Sequence, residues 1–198
     1  GTPGRVDRVA EVVREGAPPA ETVPLVVQVS RWDRLKDPSG VLAGFAQSEA
    51  AQAHGAHLVL AGPLTASVSD DPEGASTLAT VTASWRAQPR PVRERIHLAS
   101  LPTADIDENA AIVNALQRHA TLIVQKSLHE GFGLTVTEAM WKSKPVLATA
   151  VGGIQDQIED GAQGLLLRDP TDLTAFCTAL ARLLDEPDEA RRMGERGH

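Results

Sequence analysis

A cationic turn follows the first strongly apolar stretch of the chain, Leu25–Ser30 (LVVQVS). Arg31 comes directly after it and Lys36 lies five residues further on. An arginine offers a planar fork to phosphate oxygens, and a lysine offers a mobile point charge. This turn therefore suits a ligand with a diphosphate, whose negative charge grows when a bond to it breaks. The alternative is a solvated basic turn balanced by Asp33 and Asp37, and Arg34 is expected at the surface.

A glycine turn framed by two carboxylates follows a second apolar segment, Thr121–Val124. Glu130 precedes a Gly-Phe-Gly sequence, and Glu138 lies two helical turns into the helical pattern that follows. Glycines let the backbone approach a ligand closely, and a helix start offers unpaired N–H groups. The alternative makes Glu138 an exposed helix residue and Glu130 an acid favoured by the helix dipole.

The wording of this second turn resembles a known family. The sequence EGFGLTVTEAM followed by KPV is similar to the glutamate–seven–glutamate motif of retaining glycosyltransferases of family 4, which have two Rossmann-like domains (the GT-B arrangement). The resemblance runs from about Leu25 to Leu184 and fits the C-terminal, donor-binding half. Three phrases, Val29–Pro38, Ser69–Gly74 and Asn114–Val146, are most similar to the trehalose-forming synthases of that family.

The resemblance implies roles for individual residues. Arg31 and Lys36 match the family's diphosphate-binding pair, and these two with Glu130 form the expected catalytic set. Glu130 is expected to accept hydrogen bonds from hydroxyls of the donor sugar, and Glu138 to hold the two ribose hydroxyls. The substrate-binding set on this turn comprises Gly131, Phe132, Gly133, Leu134, Thr135 and Glu138, with the N–H groups of Gly133 to Thr135 meeting sugar hydroxyls or the distal phosphate.

Two further loops are candidates for the same rim. The family reads the base in the loop after the third strand, Ser100–Asp105, where Leu101 is the candidate for packing on the base; a plain apolar residue at a strand end is the alternative. Gly152-Gly153 would let the following helix approach the pocket closely, or forms a purely structural turn. The sequence does not distinguish adenine, uracil or guanine.

The resemblance also implies a reaction. Glucose would move from a UDP-, ADP- or GDP-linked donor to a sugar acceptor with retention at the anomeric carbon, and glucose as acceptor would give trehalose. No cofactor and no metal are expected, because Arg and Lys replace a metal in this architecture. The alternatives are a retaining trehalose phosphorylase and a non-catalytic nucleotide-binding or interaction domain.

Composition limits the setting. A length of 198 residues suits one domain spanning 1–198, and the net charge of −7 argues against nucleic acid or an anionic membrane as partner. Cys177 is the one cysteine, so a reducing cytoplasm is the simplest compartment, and no stretch could span a bilayer. Both ends look cut, which predicts a missing N-terminal acceptor domain. An apolar face exposed by its absence would also allow a homodimer.

Apolar segments alternate with helical patterns along the chain, which predicts an α/β fold. We expect a Rossmann-like, three-layer domain with a parallel sheet of about six strands, preceded by a short lead-in helix and loop in residues 1–24. No G-x-G-x-x-G follows the first strand, which disfavours an NAD site. The acidic run Asp70–Glu73 suits a turn better than a metal site, and His129 suits a surface loop.

Overall fold

The computed structural model describes residues 6–65 and 72–198. Its strands form one seven-stranded sheet in the order β1-β4-β3-β2-β5-β6-β7. The strands of the described residues are β1 Glu11–Val13, β2 Leu25–Val29, β3 His57–Pro63, β4 Ile96–Leu101, β5 Leu122–Gln125, β6 Val146–Thr149 and β7 Gly164–Leu167. The α-helices of the same residues are α1 Pro38–Gln47, α2 Glu49–Ala53, α3 Pro72–Arg86, α4 Arg90–Arg93, α5 Ile106–His119, α6 Leu134–Met140, α7 Leu173–Asp185 and α8 Pro187–Gly197, and short 3-10 helices span Arg34–Lys36 and Gly152–Asp156.

Strands β2 to β7 are parallel to one another, as predicted. They form the doubly wound order in which the chain first builds outward from β2 to β4 and then returns to β5 on the other side of β2. The sheet thus reverses its winding between β2 and β5. In open parallel sheets, ligands bind at the carboxyl ends of the strands at this reversal.

Two apolar layers cover the sheet. Successive residues of a strand point to opposite faces, so that Val26 belongs to one buried cluster and Val27 to the other. The first cluster contains residues of α1, α3, α7 and α8, and includes the fully buried Phe45 and Phe176. The second contains the buried face of α6 and part of α5. The expected three-layer α/β architecture is therefore confirmed.

The lead-in helix is a wrong prediction. Residues 6–24 contain no helix, and Glu11–Val13 instead forms β1, which pairs antiparallel with β4 in the register Val12 to Ala99. Val6, Val9, Val12 and Val13 recur at roughly helical spacing, but valine is β-branched and favours a strand. The open edge of β4 supplies hydrogen-bond partners for the backbone of β1, and this adds the seventh strand.

Candidate functional site

A cleft opens where β2 and β5 end, at the reversal of the sheet. Its volume is about 410 Å³. The lining residues come from the segment after β2 and the segment after β5: Ser30, Arg31, Lys36, Gln125, Glu130, Phe132, Gly133, Leu134 and Thr135. The two turns singled out in the sequence therefore meet at one rim, although about a hundred residues separate them.

The turn after β2 is anchored by Trp32. Its indole lies buried against the end of β3 and donates a hydrogen bond to the carbonyl of Pro63 at 2.9 Å. Gly62 makes room for it, because a Cβ there would lie 2.6 Å from the indole ring. The buried Trp32 leaves its neighbour Arg31 exposed at the cleft, where the guanidinium contacts Asp33 at 3.1 Å. An exposed pair of this kind is weak, so the guanidinium can turn to a ligand at little cost.

The central contact of the cleft is the ion pair between Lys36 and Glu130. Both side chains are mostly buried, with 17% and 11% of their surface exposed. The carboxylate of Glu130 also accepts from the Ser127 hydroxyl at 3.3 Å and the Gln125 amide at 3.4 Å. An ammonium carries more donors than one bond uses, so Lys36 can bind a second anion while it holds Glu130.

The glycine turn is shaped by close contact between two backbone segments. Gly133 has a left-handed φ of +89°, which lets it precede α6. The N–H of Gly153 donates to the carbonyl of Gly131 at 2.7 Å. At Gly152 a Cβ would lie 1.8 Å from the carbonyl oxygen of Glu130. The Gly152-Gly153 pair therefore allows one turn to support the other, and close approach is its structural role.

Glu138 lies on α6, beyond the part of the helix that lines the cleft. It is exposed, and its carboxylate accepts a hydrogen bond from the buried Gln117 of α5 at 3.2 Å. Arg31 follows β2, and Glu138 lies on α6, which follows β5. Arg31 lines the cleft, whereas Glu138 does not. Gly131, although part of the turn, is also outside the lining. The role of Glu138 at a ribose stays a prediction.

Leu101 lies at the end of β4 and is 4% exposed. It belongs to the apolar cluster on the α5 face and lines a separate pocket with Ala10, Val12 and Leu116. Its proposed contact with a base is therefore not part of the cleft between β2 and β5, and it stays a prediction.

Several polar residues of the cleft have no counterpart in the sequence interpretation. Ser30 and Gln125 line it directly, and Ser127 supports Glu130. Gln125 is buried. The sequence contains one signal for it, because it is a polar residue at the end of an otherwise apolar strand. Its amide N–H groups donate to Ser127 and Glu130, whereas its buried amide oxygen has no partner among the described residues, and a binding site is one place where such a polar group is found.

The described residues show neither a cluster suited to a metal ion nor a membrane-spanning helix. Within residues 6–65 and 72–198, no three or more His, Cys, Asp or Glu side chains are arranged to hold a metal ion. Asp70 and Asp71 of the acidic run lie outside the described residues. In the same part of the chain, none of the helices combines the length and the apolar character that crossing a membrane requires.

Comparison with known proteins gives consistent matches. Residues 105–198 match the family Glycosyl transferases group 1. A trehalose synthase of Rubrobacter xylanophilus is 39% identical over 174 residues, which cover 88% of this chain and 38% of that protein. The chain thus spans well under half the length of this relative.

Solved structures share the fold. The sucrose-phosphate synthase of Thermosynechococcus elongatus matches with a TM-score of 0.69 and 29% identity, over 90% of this chain and 40% of that chain. HepE of Anabaena, solved in complex with UDP-glucose, matches with a TM-score of 0.64 and 19% identity, over 89% of this chain and 43% of that chain. The seven-stranded, mostly parallel sheet is that of C-terminal GT-B domains. The chain therefore contains a group 1 glycosyltransferase domain, matched over residues 105–198, in a fold that it shares with solved glycosyltransferases.

Proposed function

We propose that this chain is the donor-binding domain of a retaining GT-B glycosyltransferase of family 4. It would bind glucose linked to a nucleoside diphosphate, and the whole enzyme would transfer that glucose to a second glucose to form trehalose. The observation that carries the proposal is the Lys36–Glu130 pair, which faces the cleft at the reversal of the sheet. A cation and a carboxylate side by side suit a ligand that joins a diphosphate to a sugar.

Lys36 and Arg31 are the proposed diphosphate ligands. As the glycosidic bond breaks, negative charge collects on the departing diphosphate, and cations fixed nearby stabilise that state more than the bound donor. Lys36 is mostly buried, so its charge acts in surroundings with less water than the surface. Arg31 is exposed and would close on the phosphate from the rim. With these two cations in place, the proposal needs no metal.

The glycine turn is the proposed sugar site. Glu130 has spare lone pairs for hydroxyl groups of glucose, and Gly133 to Thr135, whose backbone N–H groups would meet the sugar or the distal phosphate, line the same cleft. Phe132 is more than half exposed at the rim, where its ring can cover the sugar. Glu138, exposed on α6 and hydrogen-bonded to Gln117 of α5, would hold the ribose, and Leu101 would lie towards the base.

The proposed reaction needs no protein nucleophile. The bond between the anomeric carbon and the phosphate oxygen breaks, and the acceptor hydroxyl forms the new bond from the same face. The proton of that hydroxyl passes to the departing phosphate oxygen. The residues described here orient the donor and stabilise the leaving group, and a separate N-terminal domain would hold the acceptor. We therefore expect nucleotide binding, but no turnover, from these 198 residues alone.

Trehalose as product is favoured by the 39% identity to a trehalose synthase. A nucleotide sugar as donor is favoured by the shared fold with HepE, which was solved with UDP-glucose. A cytoplasmic setting is proposed with the reaction, since nucleotide sugars are made inside cells.

The test is a calorimetric titration of the chain with UDP-, ADP- and GDP-glucose and with orthophosphate. We expect saturable binding of at least one of the nucleotide sugars. Binding of orthophosphate with trehalose, and of none of the nucleotides, would instead indicate a phosphorylase. No binding of any of these ligands would indicate a non-catalytic domain and contradict the proposal. The full-length protein, given glucose and the preferred donor, should then release trehalose.

A further inference from the structure

Lys126 is a charged side chain inside the protein. It follows β5 directly, and only 1% of its side chain is exposed. A lysine is almost never buried to this extent without a partner, because its charge loses its hydration. Here the ammonium donates to the carboxylate of Asp37. At 1% exposure Lys126 cannot itself contact a ligand in the cleft, so its role must be exerted through the residues that it holds.

Asp37 is the residue after Lys36, and its geometry is unusual. Its φ is +47°, a left-handed conformation that side chains other than glycine seldom adopt. One carboxylate oxygen accepts from the N–H of Gly40 at 3.0 Å and caps α1, and the other is held by Lys126. The carboxylate is packed so closely that a Cβ at Gly40 would lie 2.0 Å from it. The ion pair with Lys126 therefore fixes a turn that is conformationally restricted already.

Gln28 holds the backbone of Lys36, the residue before Asp37. It lies on β2 with 1% exposed, and its amide donates to the carbonyl of Lys36 at 2.9 Å. The N–H of Leu128 donates to the carbonyl of Leu35 at 2.8 Å. Three consecutive residues, 35 to 37, are thus held from beneath by groups on β2 and just after β5. These are the two strands between which the cleft lies.

We propose that Lys126, supported by Gln28, is a positioning residue that fixes Lys36 opposite Glu130 for contact with the diphosphate. The inference rests on the proposed function. A buried ion pair is seldom more stabilising than an apolar pair of the same size, so stability alone is a poor reason for a lysine here. Positioning is a better reason, because Lys126 pairs with Asp37, which is adjacent to the proposed phosphate ligand Lys36.

The test is a double-mutant cycle between Lys126 and Lys36. Its readout is the calorimetric Kd for a nucleoside diphosphate and for the matching nucleoside. The diphosphate is UDP, ADP or GDP, whichever binds the unmodified chain most tightly. Lys126→Met removes the buried charge and leaves Asp37 as the helix cap, with 16% of its side chain exposed. Should that variant unfold, Lys126→Met with Asp37→Asn removes both charges, and asparagine tolerates both the left-handed conformation and the cap position. Lys144→Met is the matched control, a half-buried lysine on the loop before β6.

We expect Lys126→Met to weaken diphosphate binding roughly fivefold to tenfold and to leave nucleoside binding unchanged. In a Lys36→Ala background the same change should have an effect below about twofold, because the residue through which it acts is gone. Equal losses in both backgrounds, or a lower melting temperature with an unchanged Kd, would mean that Lys126 is merely structural and overturn the inference alone. No diphosphate binding by the unmodified chain would overturn the proposed function, and this inference with it.

Discussion

Removal of the Lys36 ammonium is the perturbation whose effect the structure defines best. In Lys36→Ala, Glu130 keeps hydrogen bonds from Gln125, Ser127 and the N–H of Gly131, so the fold should survive. A hydrogen bond between charged groups contributes about 1.5–3 kcal/mol, and Lys36 is only 17% exposed, so little of this is lost to solvent screening. The unpaired Glu130 carboxylate would in addition repel the phosphates.

We therefore expect diphosphate affinity to fall roughly 10- to 100-fold, while affinity for the nucleoside stays the same. Isothermal titration of the variant with UDP, ADP and GDP, and with the matching nucleosides, measures both. Arg34→Ala is the control, since Arg34 is an exposed cation two residues earlier that does not line the cleft. A diphosphate Kd within about threefold of the unmodified chain, or an equal loss for the nucleoside, would refute the assignment of Lys36 to the phosphates.

Three further predictions concern stability. Gly152→Ala should lower the free energy of unfolding, measured by chemical denaturation, by about 3 kcal/mol or more, because its Cβ would lie 1.8 Å from a carbonyl oxygen. Gly161 is the control: it is also left-handed, with φ +80°, but a Cβ there meets no described atom within 4 Å. Gly161→Ala should therefore lower the free energy of unfolding by only about 1–2 kcal/mol. Burial lowers the pKa of His97 to about 4, with the charges of His57 and Arg14 contributing. Between about pH 6.5 and pH 4, His97 is therefore protonated in the unfolded chain and neutral in the folded chain. As the pH falls across that window, the free energy of unfolding of the unmodified chain should decrease by roughly 2 kcal/mol more than that of His97→Leu, allowing for solvent screening. Trp32→Phe should lose about 1 kcal/mol with its hydrogen bond to a main-chain carbonyl.

Each of these predictions has an outcome that would contradict it. Equal losses for the two glycine variants would mean that contact between the two turns does not restrict Gly152. Parallel stability curves for the unmodified chain and His97→Leu from pH 7 to pH 4 would mean that His97 titrates normally in the folded state. A Trp32→Phe variant as stable as the unmodified chain would show that this hydrogen bond does not anchor the turn after β2.

The sequence predicted the parallel part of the sheet well, because each strand is a short apolar run between turn signals. It failed at Glu11–Val13, where the same valines fit a helix or a strand and the open edge of β4 decides between them. The spacing of these valines carries no information on whether the edge of β4 is open. A helix pattern needs a buried face to be stable, and β1 instead gains backbone hydrogen bonds.

The candidate site was predicted in part. The charged turn at Arg31–Lys36 and the glycine turn at Glu130 were visible as loop residues after apolar strands, and the structure brings Lys36 and Glu130 into contact. Lys126 and Gln28 were not visible in this way. A polar residue near a strand end is interpretable only once the neighbouring strand and the loop above it are known, and that information is tertiary.

The proposed function places a nucleoside diphosphate between the segments that follow β2 and β5. Backbone amide chemical shifts of the isotopically labelled chain, recorded during titration with the nucleoside diphosphate that binds most tightly, test this directly. We expect the largest changes in residues 30–36 and 130–135, at the rim of the 410 Å³ cleft. Saturable changes concentrated elsewhere, for example in the pocket between β1, β4 and α5, would contradict it.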